Sequence, residues 1–165
     1  MNYQQKLAAA QNPNTPTKTL ELLATNEAWD VRRFVAKNPN TPTKTLKQLA
    51  GDEHVYVRCG VAKNPNTSTN TLELLASDEY SYVRSGVAEN PNTPLEILEQ
   101  LATDKDWYVR RCVAENPTTP TKTLELLASD EDRYVRSWVA KNPNRTEIIE
   151  RLVLMTDYKL STNAA

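Results

Sequence analysis

The chain has 165 residues, 39% apolar and 25% charged, and its 20 Lys and Arg against 21 Asp and Glu leave a formal net charge of −1 at pH 7. That is the composition of an ordinary globular domain with enough apolar residues for a real core. It excludes a protein that works by bulk charge, and it contains no apolar run of about 18 residues or more that could cross a membrane.

The N-terminal stretch MNYQQKLAAAQN has neither a basic leader nor a long apolar segment, so a cytoplasmic protein is expected. From there Asn-Pro returns at Asn12, Asn38, Asn64, Asn90, Asn116 and Asn142, every 26 residues. A fixed period of this size marks a tandem array in which each unit stacks on the next. The consensus is NPNTPTKTLELLASDE..YVR..VA. In each unit two apolar patterns of helical spacing flank a polar stretch, as in Leu46, Leu49, Ala50 and then Val57, Val61, Ala62. Each unit is therefore predicted to be two short helices.

The punctuation divides the unit in the same way. Thr15, Thr41, Thr93 and Thr119 each precede a proline, which suits a hydroxyl N-cap ahead of a proline at the first helical position. Asn26, Asp52, Asp78, Asp104 and Asp130 stand where a second N-cap is wanted. The next Asn-Pro ends the second helix, because proline lacks the N–H and disfavours the α region for the residue before it. The single domain predicted over residues 1–165 comprises a capping half-repeat at 1–11, where QKLAAAQ aligns with VRRFVAK, five full repeats at 12–141, and a closing segment at 142–165. Ile148, Ile149, Leu152 and Val153 predict a closing helix over 146–160, with the last residues, STNAA, loose.

At roughly 10 Å per stacked helix pair, Cys59 and Cys112 lie about 20 Å apart, beyond the ~7 Å between Cα atoms that a disulfide allows. Those two thiols and the single histidine, His54, are too few for a four-ligand zinc site.

The recurring frame VR..VA.NPNTP resembles the leucine-rich repeat variant family over residues 5 to about 155. The resemblance implies an all-α fold without β-sheet, a right-handed α-solenoid related in architecture to HEAT and armadillo arrays, in which one helix of each pair is short and partly 3₁₀. Some members of that family are associated with a cysteine-rich iron–sulfur segment ahead of the repeats. No cysteine occurs before Asn12, so no cluster is carried over and no cofactor or metal is expected.

Residues present in every unit most simply serve the architecture. The arginine column (Arg32, Arg58, Arg84, Arg110, Arg136) is expected to bond carboxylates or carbonyls of an adjacent unit, and the asparagine column to bond backbone at each turn. Departures from the pattern are the candidates for function. Four successive second helices carry Tyr56, Tyr82, Tyr108 and Tyr134, and four residues later stand Gly60, Gly86, Cys112 and Trp138. Glycine within a helix costs up to about 1 kcal/mol, which suggests a close approach there. The packing alternative lays each tyrosine ring over a glycine. The binding alternative is a tyrosine-lined groove flanked by Trp29 and Arg33 at one end and Trp107 and Arg111 at the other, since interfaces concentrate aromatic residues and arginine.

The expected function is a non-catalytic scaffold that binds another protein or a peptide through these second-helix positions. The alternative is a nucleic-acid-binding or DNA-repair helical-repeat protein. Residues 1–63 carry nine cationic and five anionic side chains, and residues 64–115 carry four and nine, so the charge changes sign along the array. A phosphate-tracking groove should be basic throughout, which disfavours nucleic acid. Catalysis is not expected either: His54 sits in a variable column with no evident nucleophile, and the three glycines form no phosphate loop. No membrane partner is expected. A monomer is expected, with weak pairing conceivable through the closing helix, whose LVLM at 152–155 exceeds what one helical face can hide.

Overall fold

The computed structural model describes residues 1–162 and contains twelve helices and no strand among them. Two compact units result, Met1–Asn92 and Thr93–Ala165. The first holds α1 (Tyr3–Gln11), α2 (Thr17–Leu23), α3 (Trp29–Lys37), α4 (Thr43–Leu49), α5 (Val55–Lys63), α6 (Thr69–Leu75) and α7 (Ser81–Glu89). The second holds α8 (Leu95–Leu101), α9 (Trp107–Glu115), α10 (Thr121–Leu127), α11 (Arg133–Val139) and α12 (Glu147–Thr162).

Each repeat is a seven-residue helix followed by a longer one, as the spacing predicts. The first helix is α-helical through its length. Bonds of i→i−3 type occur at its ends, as at Thr19 N–H to the Pro16 carbonyl and Asn26 N–H to Leu23, so the partly 3₁₀ character implied by the resemblance is confined to the terminal turns. In the first unit the second helices stack in file, α1 on α3, α3 on α5 and α5 on α7; in the second unit α9 stacks on α11 and α11 on α12. The columns read as apolar are the core: Leu46, Leu49, Ala50, Val57, Val61 and Ala62 are buried, as are Leu124, Leu127, Ala128, Val135 and Val139. A helix pair of this length buries too little apolar area to fold alone, and the neighbour supplies the rest.

The caps differ from the expectation. Pro16, Pro42 and Pro120, not the preceding threonines, stand at the N-cap, and no side chain caps these helices. The threonine hydroxyls turn backward: Thr41 donates to the Val35 carbonyl at 2.5 Å, Thr67 to Val61 at 2.6 Å and Thr119 to Val113 at 2.6 Å. They close the carboxyl end of the helix before them, where carbonyls lack intrahelical partners. The Asp column is likewise displaced. Asp52 and Asp78 accept the N–H two residues on, at His54 and Tyr80, in an Asx turn that ends just before the helix begins. Asp106 and Asp132, two residues past that column, are true N-caps for Tyr108 and Tyr134.

Two side-chain ladders tie the repeats together. Each buried asparagine of the Asn-Pro pair donates both amide hydrogens backward: Asn64 Nδ2 bonds the carbonyls of Ala36 (2.7 Å) and Asn38 (2.9 Å), and Asn142 Nδ2 those of Ala114 (2.7 Å) and Asn116 (2.9 Å). Each arginine reaches forward. Arg58 donates from Nε and Nη2 to the Asp78 carboxylate at 2.6 and 3.1 Å, and from Nη1 to the carbonyls of Asp52 and Glu53. Arg32 and Asp52, and Arg110 and Asp130, repeat the arrangement. The arginine and asparagine columns are thus architectural, as expected.

The closing helix runs to Thr162, two residues beyond its predicted end. Ser161 and Thr162, expected to be loose, donate side-chain hydrogen bonds to the Tyr158 carbonyl; residues 163–165 lie outside the described residues. With no following repeat to supply a carboxylate, α12 does so itself: Arg136 donates to Asp157 at 2.6 Å.

Candidate partner-binding face

The outward side chains of the second helices carry the aromatic residues that the sequence singled out. On the first unit, the rings of Trp29 and His54 stack at 3.9 Å between centroids and 4° from parallel. Tyr56 lies 5.8 Å from Trp29 and 5.5 Å from His54, and Tyr82 meets Tyr56 edge-on at 5.6 Å. The rings make one ladder across three successive second helices, yet Trp29, Tyr56 and Tyr82 remain 38%, 45% and 44% exposed. His54, read from sequence as a plain surface residue, is a rung of this ladder, and its Nδ1 has no hydrogen-bond partner among the described residues.

Gly60 and Gly86 are buried and do not line the open face. A Cβ on Gly60 would stand 3.0 Å from the Ala36 Cβ and 3.3 Å from the Arg33 carbonyl; one on Gly86 would stand 3.1 Å from the Ala62 Cβ. What comes close is the preceding second helix, so these glycines set the spacing of α3, α5 and α7 and thereby the pitch of the tyrosine ladder. Cys59 is buried beneath it and hydrogen-bonded to Tyr82; burial pushes its thiol up, a poor setting for a nucleophile.

Cations border the rings. The Arg33 guanidinium lies 5.5 Å from the Phe34 ring centre and 5.8 Å from that of Tyr56, and the Lys63 ammonium lies 5.7 Å from Tyr82. Lys63 is also paired with Glu89 at 2.6 Å. Burial alone would lower the Lys63 ammonium, but that pair outweighs it and holds the group above its ordinary value.

On the second unit, Trp107 lies 5.8 Å from Tyr108 and 5.7 Å from Tyr134. Arg111 is clasped between Tyr108 and Trp138, at 4.6 and 5.5 Å, and donates to Glu115 at 3.1 Å. The alternating pattern of Trp107, Tyr108, Arg111, Tyr134 and Trp138 in the sequence is therefore one packed aromatic cluster around a guanidinium.

A model of the family described as "Leucine rich repeat variant" matches residues 29–54 and 83–106, which span the arginine and Asn-Pro frame described above. The chain carries leucine-rich repeat variant units. It is similar over 88% of its length, at 28% identity and a TM-score of 0.67, to a solved structure titled "A leucine-rich repeat variant with a novel repetitive protein structural motif". It spans 57% of that protein's length. No curated protein matches. In leucine-rich repeat variant terms, the arginine, asparagine, leucine and valine columns build the repeat, and the aromatic columns are where this chain's repeats vary.

Proposed function

We propose that this leucine-rich repeat variant chain is a non-catalytic cytoplasmic scaffold that binds another protein or a peptide through the outward face of its second helices. The observation that carries the reading is the ladder of Trp29, Tyr56 and Tyr82, aligned across three helices and close to half exposed while the rest of each helix is packed. Large rings with a polar edge, bordered by arginine, are what interface centres use. Trp107, Tyr134 and Trp138 extend the same use of the face within the second unit. Two buried free thiols suit a reducing compartment.

The test is photocrosslinking. Benzoylphenylalanine placed at Tyr56 is expected to capture a discrete partner from native extract, whereas the same probe at exposed Lys44 on α4 captures none. Equal capture at both sites, or capture only at Lys44, sinks the reading.

Self-association is a second proposal, carried by α12. Leu154, Met155 and Tyr158 are exposed on it, and Leu152, Met155 and Tyr158 border an apolar groove of about 420 Å³. Exposed apolar stripes of this kind cover themselves against a second copy. Light scattering at high concentration is expected to show a dimer component that Leu152→Glu abolishes.

A further inference from the structure

The cations of the first unit are not equally satisfied. Arg58 has Asp78, Arg32 has Asp52 and Lys63 has Glu89. Arg33 and Lys37, one turn apart on α3, have no carboxylate within ion-pair distance among the described residues. Both flank the aromatic ladder, and Arg33 is stacked against the Phe34 and Tyr56 rings. A guanidinium held by its face on a ring keeps its in-plane N–H fork for a carboxylate, in an orientation that costs little further ordering. Burial pushes the Lys37 ammonium below its ordinary value, and the neighbouring charges of Arg33 and Lys63 add to that push. An anion seated between Arg33 and Lys37 would relieve that crowding.

We propose that the face built by α3 and α5 docks an acidic peptide segment, with Arg33 and Lys37 holding its carboxylates and the rings of Trp29, Tyr56 and Tyr82 covering the chain between them. The proposal rests on the reading of this face as a protein-binding surface and names the partner's chemistry. The rings give an extended segment apolar cover, and the two cations fix its register and charge. Pairing across the interface also accounts for the absence of an intramolecular carboxylate here, where Glu89 and Glu115 serve Lys63 and Arg111.

The probes are three fluorescein-labelled peptides of equal length: one with alternating Glu and Leu, one with Gln for Glu and one with Lys for Glu. Anisotropy at low ionic strength is expected to show binding of the Glu peptide at least tenfold tighter than the Gln peptide and none of the Lys peptide. Arg33→Gln and Lys37→Gln should each weaken it about fivefold, whereas Lys44→Gln, which removes the same charge from α4, should leave it unchanged. The doubly reversed Arg33→Glu, Lys37→Glu chain, confirmed as folded by its helical circular dichroism, should turn to the Lys peptide. Equal affinity for Glu and Gln peptides, an equal loss from Lys44→Gln, failure of the charge reversal, or displacement of the Glu peptide by a single-stranded oligonucleotide of equal charge overturns the proposal. If Tyr56 crosslinks a partner whose capture Arg33→Gln and Lys37→Gln leave intact, the acidic specificity is wrong and the binding face stands; if Tyr56 captures nothing, the face itself is wrong.

Discussion

The two units share a scaffold and use their aromatic faces differently. On the first, Trp29, His54, Tyr56 and Tyr82 form an open ladder whose spacing is set by buried glycines, and Arg33 at its border has no acidic partner. On the second, the corresponding arginine, Arg111, is clasped by Tyr108 and Trp138 and paired with Glu115. Identical columns can thus present either an unsatisfied cation or a self-contained cluster, and the choice lies in a handful of variable positions. A repeat array separates the two tasks because the ladders holding it together run through its buried side.

That comparison can be broken at several levels. The largest effect is expected from the arginine column. Arg58→Ala strands the Asp78 side chain, which is 9% exposed, and is expected to cost about 3–5 kcal/mol in denaturant unfolding. Arg136→Ala leaves Asp157, already 51% exposed, in water, so a markedly smaller loss is expected. Equal losses would show that the two units do not differ in how they bury this pair. Next comes the glycine spacing. Gly60→Val drives side-chain atoms into Ala36 and the Arg33 carbonyl and is expected to cost about 1–3 kcal/mol, while Cys112→Val at the matching position of the second unit, a near-isosteric change, costs under about 1.5 kcal/mol.

The smallest effect is electrostatic. Burial would raise the Asp52 carboxyl, but the Arg32 guanidinium and the His54 N–H outweigh it and hold the group below its ordinary value. A carboxylate with a depressed folded pKa stabilises the fold above its unfolded pKa, and that contribution disappears as pH falls through the folded value. Stability is therefore expected to decline on acidification below about pH 4, and Asp52→Asn, less stable at neutral pH, should show a shallower decline. A parallel acid profile for both proteins would remove Asp52 from the account.

Much of this was legible in the sequence because repetition makes each column vote several times. The helix pairs, the core columns and the structural part played by Arg58 and Asn64 follow from spacing and residue type. What escaped depends on direction and on partners outside the repeat. The Thr67 hydroxyl could have capped the helix ahead; it turns to the Val61 carbonyl because that group, six residues back, has no other donor within its helix. Gly60 was readable as a site of close approach, but whether a partner or Ala36 approaches is decided by the fold. Asp157 was missed because it falls 21 residues after Arg136 where the column spacing is 20, on a helix that breaks the pattern. His54 was passed over for standing in a variable column, although its offset from Trp29, one repeat less a residue, is the sort of spacing that brings rings together.

The two ladders run in opposite senses, and this makes the ends of the array chemically unlike. A repeat hands its asparagine amide to whatever precedes it and asks for carbonyls, which any helix end provides; the plain alanine helix α1 answers Asn38 through Ala10 and Asn12. The same repeat hands its arginine to whatever follows and asks for an anion, which backbone does not provide. A terminator at the amino end can therefore be nearly featureless, whereas one at the carboxyl end must carry a correctly placed acid. Grafting α1 onto other arrays of this kind should need no tailoring, but any replacement for α12 has to bring its own Asp157.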